Sequence, residues 1–227
     1  MFLSDREMHY AISCGRLIID PQTEIGPTSI DLHLDHADQA KIWDVERLAS
    51  RNREHGQPDR ELRIGQCDYG RMSQQYHISP PTDSAAQVFR RSNQIIVKPL
   101  GFVLWQTKEI VGTPEEDADL ICFINGKSTR ARTGLVVHLT APTIHTSWSG
   151  RITLEMVNLS PLHIVLQEDD VVAQLTVATV TSTPKANMLQ FGSTTHRQTN
   201  VGGQREANSA GPEKGPEKGP GSFNRSR

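Results

Sequence analysis

Aromatic residues make up only 5% of this 227-residue chain, and cysteine is scarcer still, with three. Cys14, Cys67 and Cys122 are odd in number, far apart and free of any C-x-x-C pairing, which argues against a disulfide framework or a zinc knuckle. The nine histidines show neither H-x-H nor H-x-x-x-H spacing, so no metal cluster is expected from the protein itself. An excess of one charge is also lacking: the net charge of −2 gives no reason to expect a nucleic-acid partner. No apolar run approaches the roughly 20 residues that span a bilayer. The opening MFLSDREMHY carries charge from Asp5 onward and has no apolar leader segment. These absences lead us to expect a cytoplasmic protein with reduced thiols and no membrane partner.

What is present reads as one domain with a tail. Hydrophobic residues are 36% of the chain and mean hydropathy is −0.47, low for a wholly globular chain, so part of it is expected to be solvated. Ser4-Asp5-Arg6-Glu7 is a capping box; Met8, Ala11 and Ile12 follow at helical spacing, and Gly15 stands as a stop. Ile30, Leu32 and Leu34 alternate with Asp31 and His33, the pattern of a half-buried strand. Residues 35–93 are broken by Gly and Pro and read as a solvated insertion with a hairpin; a short helix is expected from Asp44 to Arg53. From Gln94 onward short strands follow at regular spacing: Gln94 to Pro99, Phe102 to Val111, Leu120 to Ile124, a run through Leu162, Ile164 and Leu166, then Val171 to Val180. That arrangement predicts an all-β sandwich or barrel. Beyond Gly202 only Gly, Pro, Glu, Lys, Ser and Asn abound, with GPEK repeated, so a domain over 1–200 and a disordered tail over 201–227 are expected.

The most informative stretch runs from Gly126 to Asn158. It opens on a small, basic, hydroxyl-rich turn, Gly126-Lys127-Ser128-Thr129-Arg130-Ala131-Arg132. Backbone N–H groups and hydroxyls at 127–129 suit a phosphate, with Lys127 as point charge and an arginine as fork. The stretch ends on a strand in which Ile152, Leu154 and Met156 share one face and Thr153, Glu155 and Val157 the other. Glu155 is a lone carboxylate among apolar neighbours, and Arg132 is the expected partner for its charge.

These residues resemble the dCTP deaminase branch of the dUTPase-like superfamily. The G-[RK]-S-[ST]-x-A-R turn is matched at Gly126 to Arg132, the W-S-G turn at Trp148 to Gly150, and the L-E-x-x-N strand at Leu154 to Asn158. "LSDREM…G", "SIDLHL", "VVAQLTV" and "HRQ" carry the likeness over residues 1–35 and 94–200. The resemblance implies a distorted jelly roll of the dUTPase-like, β-clip type with a short N-terminal helix. It further implies a homotrimer with sites between subunits, and deamination of dCTP to dUTP and ammonia. Glu155 would be the general acid/base, with Ser128 and Arg132 orienting the attacking water. Lys127, Ser128, Thr129, Arg130, Ala131, Arg132, His145, Thr153, Leu154, Glu155, Gln174 and Gln198 would contact the nucleotide. Main-chain groups near Val137, His138 and Ala141 would read the base edge, and Mg²⁺ would accompany the triphosphate. Asp31 falls in the superfamily's first motif, with a role near that metal. Zinc deaminases carry H-x-E and P-C-x-x-C, both absent here, so water activation without zinc is implied.

The sequence also departs from the family. His145 replaces a common aspartate that holds the deoxyribose, Thr143 replaces a frequent arginine, and Thr194-Thr195 stand where a closing arm carries Tyr and Lys. A histidine cannot serve as an anionic acceptor. On that ground the chain is expected to stop at dUTP, with weaker sugar selection. The alternatives are a dUTP diphosphatase, a bifunctional enzyme, or a catalytically weak regulatory trimer that binds nucleotide.

Overall fold

The computed structural model describes residues 1–63 and 69–184. The expected tail over 201–227, and Gln198 with it, lie outside the described residues. Thirteen strands and four α-helices are present among the described residues, so the all-β class with a short N-terminal helix is what the chain adopts.

Helix α1 (Asp5–Ser13) begins at the expected capping box: the Ser4 N–H donates to Glu7 Oε2 at 2.8 Å, satisfying a donor that the first turn leaves orphaned. Gly15, at a positive φ of 73°, ends it. Met8 and Ala11 are fully buried and anchor the helix to the core.

Two four-stranded antiparallel sheets make the body. One runs β1 (Ile18–Asp20), β7 (Phe102–Gly112), β11 (Ser149–Asn158), β9 (Leu135–Val136). The other runs β10 (Thr143–Ile144), β8 (Leu120–Gly126), β13 (Val171–Thr179), β2 (Ile30–His33). Their inner faces share one core: Val103, Trp105, Leu154 and Met156 from the first, Ile30, Leu32, Ile124 and Leu175 from the second. Each such side chain contributes about 1.5–3 kcal/mol on burial, which fixes the register, because a slip of one residue would turn every one of them outward.

Two local devices shape the β7–β11 pair. A bulge lies between Arg151 and Thr153. Thr107 Oγ1 fills it, accepting from Ile152 N–H at 3.0 Å and donating to the Glu109 carbonyl at 2.8 Å. Gly112 has φ 144°, and a Cβ there would stand 2.0 Å from the Trp148 carbonyl oxygen, so only glycine lets the chain ends of β1, β7 and β11 meet.

Residues 35–93 hold more structure than their composition suggests. Helix α2 (Val45–Glu54) occupies the expected place, capped by Asp44, whose carboxylate accepts from Arg47 N–H at 3.0 Å. Together with α3 (Tyr69–Tyr76) and the strand pair β3 (Ile42–Trp43) and β4 (His77–Ile78), it closes a small second core of Leu48, Met72 and Tyr76 against Trp43. The hairpin is β5 (Val88–Arg91) and β6 (Gln94–Val97), joined by β12 (Ile164–Gln167) into a third sheet. Leu162, read as part of that last strand, precedes it and is exposed, because Asn158 takes its carbonyl into a turn. Among the described residues no helix is long and apolar enough to cross a membrane.

Candidate active site

Strand β8 delivers the basic turn. At its end Gly126 pairs with Ala173, and the Lys127 N–H donates to the Val172 carbonyl at 3.1 Å. The chain then folds into α4 (Ser128–Ala131), closed by Arg130 and Ala131 N–H groups on the Lys127 carbonyl, both at 2.9 Å. Ser128, Thr129, Arg130, Ala131 and Arg132 all face outward and are exposed.

The lysine's head group is already engaged. Lys127 Nζ lies 2.6 Å from each carboxylate oxygen of Asp31. Asp31 pairs across β2–β13 with Gln174, and Gln174 pairs in turn with Asn125 of β8. Residues paired across antiparallel strands point to the same face, so Asp31, Gln174 and Asn125 form a polar row leading to the turn. The other cation behaves differently. Arg130 Nε donates to the Val171 carbonyl at 3.2 Å, and the side chain lines a separate cleft with Thr133, Ser160, Leu162 and His163.

Glu155 sits mid-strand on β11, half-buried, on the face with Thr153 and Val157 as the alternation predicts. Leu154, between them, is wholly buried in the core, which leaves only its main chain for contact with a ligand. Strand β9 pairs with the end of β11, Val136 opposite Val157, and the chain continues alongside toward Glu155. There the Leu139 N–H reaches Glu155 Oε2 in a long hydrogen bond of 3.4 Å. The 137–141 segment thus borders the carboxylate. One feature of it was not legible in the sequence: His138 Nδ1 is buried with no hydrogen-bond partner among the described residues.

The expected Glu155–Arg132 pair is not formed. Among the described residues no ion pair joins them, and Arg132 stands exposed past α4. The two come from different places, because the residues of α4 are exposed while Glu155 stands mid-strand on β11, half-buried beside the Leu139 N–H. His145 follows β10 and is exposed. The asparagine of the L-E-x-x-N strand is structural. Asn158 is fully buried, donating to the Val97 and Leu162 carbonyls at 2.8 and 2.6 Å and accepting from Ser160 N–H at 2.8 Å. Among the described residues no group of three or more His, Cys, Asp or Glu is gathered as a metal cluster.

Comparison with known proteins identifies the family of the chain as a whole. The "dCTP deaminase, dUMP-forming" of Streptomyces avermitilis is 32% identical over 177 residues, covering 77% of this chain and 78% of its own length. That of Streptomyces coelicolor is 33% identical over 184 residues, covering 80% and 82%. Among solved structures, the 2'-deoxycytidine 5'-triphosphate deaminase of Agrobacterium tumefaciens overlaps with a TM-score of 0.48 at 14% identity, over 78% of this chain and 48% of that one. The dCTP deaminase-like family matches residues 2–180, and the chain belongs to that family.

Proposed function

We propose that this protein hydrolyses dCTP to dUMP, releasing ammonia and diphosphate: dCTP and two waters enter, and one C–N bond and one phosphoanhydride bond break. The observation that carries the deamination half is the Glu155 carboxylate lying against the Leu139 N–H, which brings a proton acceptor beside main chain able to read a base edge. Glu155 takes a proton from the water that attacks C4 of cytosine and passes it on toward N3 and the departing ammonia. Ser128 and Arg132 orient that water and the developing charge. Lys127, Thr129, Gln174 and Gln198 belong to the nucleotide site in this reading, and Mg²⁺ travels with the triphosphate. Water activation without zinc is part of the proposal, supported by the lack of H-x-E and P-C-x-x-C in the chain.

The end product is a correction. dUTP was expected because His145 replaces an aspartate, yet the relatives that match over most of the chain are named for forming dUMP. The proposed reaction therefore includes cleavage at the α-phosphate as well as deamination.

A homotrimer with sites between subunits completes the reading. It is supported by the outward-facing turn of Ser128 and Arg132 and by the lack of an Arg132–Glu155 pair within the chain. The deciding experiment follows the products from dCTP and Mg²⁺ over time. Ammonia and diphosphate released one for one, without dUTP build-up, is the expected result. Ammonia with dUTP and no diphosphate would mark a deaminase alone, and binding without turnover a regulatory protein.

A further inference from the structure

We propose that Asp31 is a positioning residue for the nucleotide site and acts through Lys127; this rests on the dCTP-hydrolysing reading above. A lysine at the head of a turn is by itself a hydrated charge on a flexible four-carbon stem. Here it is gripped at both ends. Its main-chain N–H is tied to Val172 of β13, at 3.1 Å, and its Nζ to both oxygens of Asp31 in β2, at 2.6 Å. The anchor is rigid, because Asp31 lies between the fully buried Ile30 and Leu32, stands opposite Gln174 across β2–β13, and donates its N–H to the Glu24 carbonyl at 3.0 Å. The two side chains are only 29% and 17% exposed, so solvent screens the pair less than it would a surface bridge.

The bridge does two things. It sets the Lys127–Arg132 turn against the sheet before any ligand arrives, and a site held in its bound shape loses less freedom on binding. It also neutralises Lys127. The Arg130 guanidinium is turned to the Val171 carbonyl. Arg132, whose side chain has no hydrogen bond or ion pair among the described residues, is left as the unpaired cation of the turn, free for its role at the attacking water, while the main-chain N–H groups and hydroxyls of the turn are held in place for the phosphates. Asp31 therefore governs affinity for the triphosphate without touching it, and neither composition nor spacing reveals this in a strand residue 96 positions from its partner.

The test compares wild-type protein with Asp31→Asn, Lys127→Met, the double variant and Lys127→Arg, all full-length, by dCTP kinetics with ammonia as readout and by thermal unfolding. Each single variant is expected to raise KM about tenfold or more while kcat stays within about threefold. The double variant should be no worse than the poorer single, because both lose the same bridge. Lys127→Arg should keep KM within about threefold, since a guanidinium spans a carboxylate in bidentate fashion. Additive losses would overturn the proposal, as they would mean that Lys127 meets phosphate on its own. So would tighter binding by Asp31→Asn, or a lowered melting temperature with KM unmoved. Absence of dCTP turnover in the wild type overturns the functional reading and this inference with it; wild-type turnover with an unmoved KM in Asp31→Asn overturns this inference alone.

Discussion

Glu109 is met twice by a single residue, His33: the His33 backbone N–H donates to Oε2 at 3.0 Å, and ring Nδ1 lies 2.7 Å from Oε1. The carboxylate is 2% exposed and links β7 to β2, one strand from each of the two main sheets. Removing the carboxylate leaves the His33 donors unpaired, typically at about 1–3 kcal/mol for each buried group. Glu109→Leu should therefore lower unfolding free energy by about 2–3 kcal/mol, and Glu109→Gln, which keeps an acceptor of the same shape, by about 1 kcal/mol. Urea midpoints measure both. A leucine variant as stable as wild type would show that the pair is not a structural tie.

Glu155→Gln removes one proton acceptor at nearly constant volume, and the folded chain loses only the long contact from Leu139. Ammonia release should fall by about 10²–10⁴-fold, with melting temperature and dCTP affinity almost unchanged. Retention of more than about a tenth of wild-type kcat is too much for a general acid/base.

If the site lies between subunits, Glu155 and Arg132 of one site come from different chains. Two inactive variants, Glu155→Gln and Arg132→Ala, mixed after reversible dissociation, should then regain activity. In a random one-to-one trimer, about a quarter of sites receive both intact residues. Mixtures that stay as inactive as either parent would place both residues in one chain.

Gly112→Ala should be far more disruptive than Gly126→Ala. At Gly112 a Cβ would meet the Trp148 carbonyl oxygen at 2.0 Å with φ at 144°, whereas at Gly126 it would meet only Val137 Cγ2, at 3.2 Å. A flexible methyl gives way; the Trp148–Ser149 backbone does not. The first change is expected to cost about 3 kcal/mol or more, the second about 1 kcal/mol. Thermal unfolding of the two variants, side by side, decides the matter.

Burial pushes the Cys122 thiol up to about 12, while Cys14 is exposed. The thiolate is the reactive form, so a raised pKa leaves Cys122 inert well above neutral pH as long as the fold holds. Iodoacetamide at pH 8, with sites mapped by peptide mass spectrometry, should modify Cys14 and spare Cys122, and urea should expose Cys122. Labelling of Cys122 in the native protein would contradict its place in the core.

Much of the fold was legible because it depends on local rules. The Ser4–Glu7 box, the alternation from Ile152 to Val157 and the strands after Gln94 obey periodicities that a chain carries wherever it folds. The helix at 45–54 was legible for the same reason, but its packing was not. Leu48, Met72, Tyr76 and Trp43 are too far apart in sequence to announce a shared core. Leu162 misled because apolar alternation continued past the point where Asn158 had already turned the chain.

The sequence by itself determined the residue types of the candidate site and their order: a basic turn, the 137–141 stretch, a carboxylate strand. Their chemistry is a property of the side chains and needs no fold to be named. Only the tertiary structure decided which charge meets which. Lys127 finds Asp31 rather than solution, Arg130 turns to Val171, Arg132 stays free, and Glu155 lies by Leu139 instead of by an arginine. An ion pair is set by distances of a few ångströms, and those distances arise when strands 30, 120 and 170 residues along the chain are brought side by side in one sheet.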